Sequence, residues 1–217
     1  PFGEDFINFW SAARLAITGR SSSIYNFTAF HDFQVSVVSH AIDLYHYSYP
    51  PTLLVITAPF ALLPYPAAWV LWQGLGWLAF ATALRQFSRK YWLLIAFAWP
   101  AVLINAIGGQ AGCWTAAIIG WGLILLPKRP MIAGLILSLL AVKPQLAWLV
   151  PLALLAGRDW RAFAGLAIGA GAMVIVATLS FGISIWPAYA QHAVLLKQVI
   201  LEDGTGLRRQ RGDPRHG

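Results

Sequence analysis

Residues 162–186 read AFAGLAIGAGAMVIVATLSFGISIW, a run without one charged side chain, bounded by Arg161 before it and Pro187 after it. A membrane-crossing helix needs about 20 predominantly apolar residues, and this run exceeds that. Gly165, Gly169 and Gly171 within it make the small-residue surface by which membrane helices pack on one another. No strand precedes these glycines, so they do not form a phosphate loop. Working outward, residues 67–84, 91–107, 110–126 and 131–156 have the same apolar character. Over the whole chain 59% of residues are hydrophobic and 11% charged, with a mean hydropathy of +0.64. Soluble domains hold roughly 45–50% apolar and about 25% charged residues. The reading is therefore all-α: a polytopic transmembrane helix bundle.

The loops between these runs are short and basic. They carry Arg85, Arg89 and Lys90, then Lys128 and Arg129, then Arg158 and Arg161, with Asp159 the one acid among them. Lys and Arg excess marks cytoplasmic loops, so the formal charge of +7 sets orientation and does not point to nucleic acid. Parity then puts the 108–110 turn, the Lys143 corner and Trp186-Pro187 on the outer face. Residues 131–156 are either one span with Lys143-Pro144 at its centre or a hairpin of two short helices turning there. The hairpin keeps Arg158 and Arg161 inside and predicts six crossings.

Residues 1–66 differ from the rest. Phe6, Phe9, Trp10, Ala13 and Ile17 recur at helical spacing, predicting an amphipathic helix over 5–18. A second stripe holds Phe27, Phe30, Phe33, Val37, Ala41 and Leu44, opposite Asp32, Ser36, Ser39 and Asp43. Both are too short to cross and are expected to lie at the extracytoplasmic interface with the apolar face down. Residues 52–63, interrupted by Pro59 and Pro64, are expected to dip into the membrane and return. The organisation is thus a first loop over 1–66, a bundle over 67–186 and a polar tail over 187–217. A start at Pro1 instead of Met, and arginines 208, 209, 211 and 215 on the wrong side for the charge rule, suggest a chain cut at both ends.

Few residues here carry chemistry. Cys113 is the single cysteine, which excludes an intrachain disulfide, and no zinc-type spacing exists. His31, His40 and His46 lack the i, i+4 spacing of a helical metal site, so no metal is expected. Lys143 is the only charge inside the long runs. An ionisable group there costs about 2.5–3.5 kcal/mol on the insertion scale. It either turns the hairpin and snorkels to headgroups or binds an anion such as a lipid phosphate. Asp5 opens the first helix, where an acid complements the helix dipole. Tyr47 and Tyr49 fit an interfacial aromatic belt, and Asn105 and Gln110 flank a Gly-Gly turn whose backbone they can satisfy.

Four ordered segments carry a family resemblance: Asp5-Phe6 through Phe9-Trp10 and Ala12-Ala13, with Gly19 and Tyr25; Tyr47-x-Tyr49-Pro50-Pro51 with Leu53, Pro59 and Leu63-Pro64; Gly109-Gln110; and Ala133-Gly134-Leu135 through Lys143-Pro144 to Arg158-Asp159-Trp160-Arg161-Ala162. The chain resembles the polyprenol-phosphate-sugar-dependent glycosyltransferases of family 87, which are mannosyltransferase- and arabinofuranosyltransferase-like members of the C superfamily. The resemblance implies a multi-pass enzyme of a bacterial plasma membrane, with its active site on the extracytoplasmic face and no cofactor. It implies inverting transfer of a sugar from a polyprenyl-phosphate donor to a cell-envelope glycolipid or glycan, with Asp5 as general base. Lys143, helped by Arg14, is expected at the leaving phosphate, while His46, Tyr49 and Gln110 line the cleft toward the sugar. As a fragment, the chain is expected to be inactive alone. The competing readings are a secondary transporter, whose broken helices and ionisable groups sit near the midplane, and a non-catalytic membrane subunit.

Overall fold

The computed structural model describes residues 3–37 and 46–197; Ala41 and Leu44 of the second stripe, His40, and the arginines of the tail lie outside them. In chain order the helices are α1 (Glu4–Ile17), α2 (Phe27–Val37), α3 (Thr52–Thr57), α4 (Tyr65–Phe87), α5 (Trp92–Ala98), α6 (Pro100–Gly108), α7 (Gly112–Leu125), α8 (Pro130–Leu137), α9 (Pro144–Ala156), α10 (Trp160–Phe181) and α11 (Ile185–Lys197). Among the described residues there is no strand.

Prolines divide the long apolar runs. Pro100, Pro130 and Pro144 each open a helix, where a missing N–H costs nothing. The residue before each proline is held out of the helical region. Trp99 is extended (φ −71°, ψ 119°), so the predicted run 91–107 breaks into α5 and α6. Lys143 is likewise extended (φ −111°, ψ 108°), between the tight turn Ser138–Val142 and α9.

Side-chain contacts fix the direction of each pass. Arg85 lies over the Trp92 ring at 5.7 Å, Trp77 Nε1 donates to the Ala96 carbonyl at 2.9 Å, and Asn105 Nδ2 donates to Gln73 Oε1 at 2.9 Å. The α5–α6 pair therefore returns antiparallel along α4. In contrast, α7 runs with α4: Gln73 Nε2 donates to the Gln110 carbonyl (3.2 Å), Trp114 Nε1 to the Trp72 carbonyl (3.1 Å), and Gly120 faces the Ala83 methyl. Further along, α8 runs with α10, because Gly165 nests between Met131 and Leu135 while Gly169 meets Ser138. If α8 and α10 both start at one end, α9 must come back to that end. Lys143-Pro144 is thus the turn of a helical hairpin, and the chain makes six passes along the bundle. All three basic loops fall at one end.

At the opposite end lies α1, and here the structure differs from the expected interfacial helix. Apart from Glu4, Asp5, Arg14 and Ile17, its residues are buried, with Ile7 and Ser11 at 0% exposure. The face that looks polar in sequence is covered by α2, whose buried Gln34 donates Nε2 to Asn8 Oδ1 at 2.7 Å. The other face carries Phe6 and Phe9 onto Trp72, with ring centroids at 5.8 and 5.9 Å, and Phe60 and Trp114 complete the cage around that indole at 5.2 Å each. The helix is a core element of the protein. The segment after α10 differs as well. Gly182 (φ 85°) turns the chain, and α11 follows where a polar tail is predicted, packing Tyr189 and buried His192 on Tyr25.

Among the described residues two helices, α4 and α10, are long and apolar enough to cross a membrane, yet only 28% and 22% of their most apolar windows are buried. Leu71, Leu75 and Leu78 of α4 and Ile168, Ile175 and Leu179 of α10 point outward. A soluble core helix would hide these side chains; their exposure fits a surface that a bilayer covers.

Candidate active site

The site forms where the start of α1 meets the α6–α7 corner. Gly3 (φ 81°) and Gly109 (φ 71°) are both left-handed, a conformation open to glycine without strain. They also touch: a Cβ on Gly109 would meet Gly3 Cα at 2.7 Å and Phe6 Cβ at 2.8 Å. This backbone approach lets Gly3 N–H donate to the Ile107 carbonyl at 2.9 Å, while Tyr65 Oη donates to the Gly3 carbonyl at 3.1 Å. Asp5, two residues on and half-buried, is thereby carried over Gln110, whose side chain donates to its carboxylate.

Burial pushes the Asp5 carboxyl up from its ordinary value, and the Gln110 hydrogen bond pulls it partly back. The charge of Glu4 adds to the rise. Tyr49 stands within the electrostatic reach of Asp5: its phenol is raised chiefly by burial and then by that carboxylate. Phe9 meets the Tyr49 ring edge-on at 5.1 Å, and Tyr25 Oη donates to the Tyr49 carbonyl at 2.9 Å. Beneath Tyr49 opens an apolar cavity of about 100 Å³, lined by Leu53, Trp72, Trp114 and Val142, with Lys143 at its wall.

Asp5, Gln110, Tyr49 and Lys143 thus share one region, linked through Tyr49 and the cavity. The other two candidates have different surroundings. Arg14 lies nine residues along α1 from Asp5, about 13 Å at 1.5 Å per residue, and its Nη1 donates to the Ala61 carbonyl at 2.8 Å. His46 meets Phe27 edge-on at 4.4 Å. Its imidazole is lowered by burial and then by the nearby His192 and His31. Among the described residues, no group of three or more His, Cys, Asp or Glu side chains is placed to hold a metal.

Gln73 belongs to this region too, and the sequence reading passed over it. It is a lone amide inside the apolar run 67–84, and that isolation is the signal: a polar group at such depth needs partners. Its partners are Asn105 and Gln110.

A family model described as glycosyltransferase family 87 matches residues 47–207. Tyr49, Gln110 and Lys143 fall inside the matched stretch, and Asp5, Arg14 and His46 precede it. No curated protein and no solved structure matches the chain. With the match running over most of its 217 residues, and with two membrane-capable helices among the described residues, the chain belongs to glycosyltransferase family 87, a family of membrane-associated sugar transferases.

Proposed function

We propose that the protein transfers a mannose- or arabinose-like sugar from a polyprenyl phosphate to a cell-envelope glycolipid or glycan, on the extracytoplasmic face of a bacterial plasma membrane that it crosses six times. The observation that carries this reading is a half-buried carboxylate, Asp5, within electrostatic reach of Tyr49, which lines an apolar cavity with a lysine at its wall. Asp5 takes the proton from the acceptor hydroxyl as that oxygen attacks the anomeric carbon. The carbon–oxygen bond to phosphate breaks, its electron pair leaves with the phosphate, and attack from the opposite side inverts the configuration. A base with a raised pKa is better matched to a hydroxyl. The departing phosphate gains charge, and the fixed ammonium of Lys143 stabilises it. The apolar cavity suits the first isoprenoid carbons of the donor, and Tyr49, lying between carboxylate and cavity, suits the sugar. Arg14 and His46 have roles in this reading only as supports of the first loop.

Two measurements test it. Membranes holding the full-length protein are given radiolabelled polyprenyl-phosphate mannose, or the arabinose donor in parallel, and label is followed into glycolipid. Lys143→Met is expected to lower transfer by ~100-fold, with Lys143→Arg recovering part of it; equal transfer by parent and Lys143→Met would reduce Lys143 to a hairpin corner. Topology is read with single cysteines, since the native Cys113 is buried. Ser88→Cys, in the first basic loop, should react with an impermeant thiol reagent only after the inner face is opened. Ser184→Cys, beyond α10, should react in intact cells; the reverse pattern would place the site on the cytoplasmic side.

A further inference from the structure

We propose that Gln73 and Asn105 are positioning residues that hold Gln110 against the Asp5 carboxylate. The proposal rests on Asp5 being the base.

The Gln110 backbone is clamped from both sides. Its N–H donates to the Asn105 carbonyl at 2.9 Å, and its carbonyl accepts from Gln73 Nε2 at 3.2 Å. The two clamping residues are tied together, because Asn105 Nδ2 donates to Gln73 Oε1 at 2.9 Å. Asn105 also fixes the start of the next helix. Its Oδ1 accepts the N–H groups of Gly112 at 2.5 Å and Cys113 at 3.3 Å, which are orphan donors of α7. Asn105 is buried, at 5% exposure. A buried amide spent on this many partners specifies one geometry for the loop.

The clamp fixes the backbone from which the Gln110 side chain extends. Its amide folds back past Gly108, where a Cβ would lie 3.4 Å from Gln110 Cγ, and reaches Asp5. Both ends of that hydrogen bond are thus set by backbone contacts: Asp5 through Gly3 on Ile107, Gln110 through Asn105 and Gln73. The groups that bear on the Asp5 charge are Gln110, which favours it, Glu4, which opposes it, and Tyr49, whose phenol senses it.

The consequence is readable in the pH dependence of kcat/KM. A base must be ionised, so transfer falls as pH drops through its pKa. Losing the Gln110 donation raises that pKa, and the acid limb moves to higher pH. Gln73→Met keeps length and removes both hydrogen bonds. Gln73→Asn, with an arm one methylene shorter, is the second variant should the first accumulate poorly. In membranes holding the full-length protein with radiolabelled polyprenyl-phosphate mannose or arabinose, each is expected to move the limb up by about half a unit. The loss of transfer is then about threefold greater below the limb than on the plateau. Gln110→Met should give a similar shift, and adding Gln73→Met to it should give no more. A uniform loss at every pH for Gln73→Met, with the limb moved by Gln110→Met alone, overturns the positioning role and leaves the base intact. Transfer by Asp5→Asn with the parent's pH profile overturns the base, and the positioning role with it.

Discussion

Replacing Asp5 by Asn is expected to lower sugar transfer by ~10²–10⁴-fold, the usual worth of a general base, while the protein accumulates in membranes at the parent's level. The substitution keeps size and shape and removes only charge and basicity. Asp5 is half-buried in the first turn of α1, and the neighbouring contacts that seat this helix belong to Gly3, Phe6, Phe9 and Trp10. An asparagine Oδ1 still accepts from Gln110, so the cleft keeps its form. Folding should therefore survive, and removing a buried charge should relieve some desolvation. Transfer of label from a radiolabelled polyprenyl-phosphate sugar, normalised to protein by immunoblot, reads the result. Parent-like transfer would make Asp5 a helix-start acid and overturn its assignment as the base; a parent that transfers nothing from any polyprenyl donor would bring the transporter and subunit readings forward. Asp5→Glu separates chemistry from charge, because the longer arm keeps basicity and misplaces it, giving an intermediate loss.

The second large effect is expected at the α8–α10 crossing. A Cβ on Gly134 would fall on the backbone carbonyl of Ala162 and within 2.7 Å of the Leu166 nitrogen. Backbone atoms of a helix cannot step aside as a side-chain tip can, so Gly134→Val must push the two helices apart. Overpacking of this kind costs about 3 kcal/mol, which lowers the thermal midpoint by roughly 10 °C. Gly171→Ala is the matched control, since nothing lies within 4 Å of its Cβ position and alanine is the better helix former. Fluorescence-detected size-exclusion chromatography after heating in detergent distinguishes them. Gly134→Val should be lost at temperatures that Gly171→Ala survives. Equal midpoints would mean that the α8–α10 approach is looser than described.

Much of the bundle was legible in the sequence for simple reasons. Lys and Arg cluster in loops that all fall at one end, and apolar runs between them admit few directions of travel. The Lys143-Pro144 turn was legible because proline restrains its predecessor. The first helix was legible as a helix and not in its setting. Its apolar face was expected to meet the interface and its polar face to stay open, and only the third dimension shows Gln34 bonded to Asn8 there. Periodicity reports which side of a helix is apolar; it is silent on whether the polar side meets water or another amide. For α11 the obstacle was local, because Gly182, Ser184 and Pro187 punctuate the stretch like a loop. At the site, Asp5 and Gln110 were singled out separately, 105 positions apart by their numbers. Their pairing depends on two glycines meeting across the α1–α6 contact, which no local pattern encodes.

The tie from Ser21 Oγ to the Phe181 carbonyl, 160 positions apart in the chain, bears on the order in which the molecule is built. The ribosome delivers α1 before the other described helices, yet its seat comprises Ile107 and Gly109 and, for the loop that follows, the end of α10. Long-range closures of this kind come late in folding. Until the segments up to α7 have been made, Phe6, Phe9 and Trp10 lack the pocket that covers them, and apolar surface exposed in this way is prone to aggregate. A nascent chain therefore lacks the Gln110 donor to Asp5, and that pairing exists only once α6 and the start of α7 have been made.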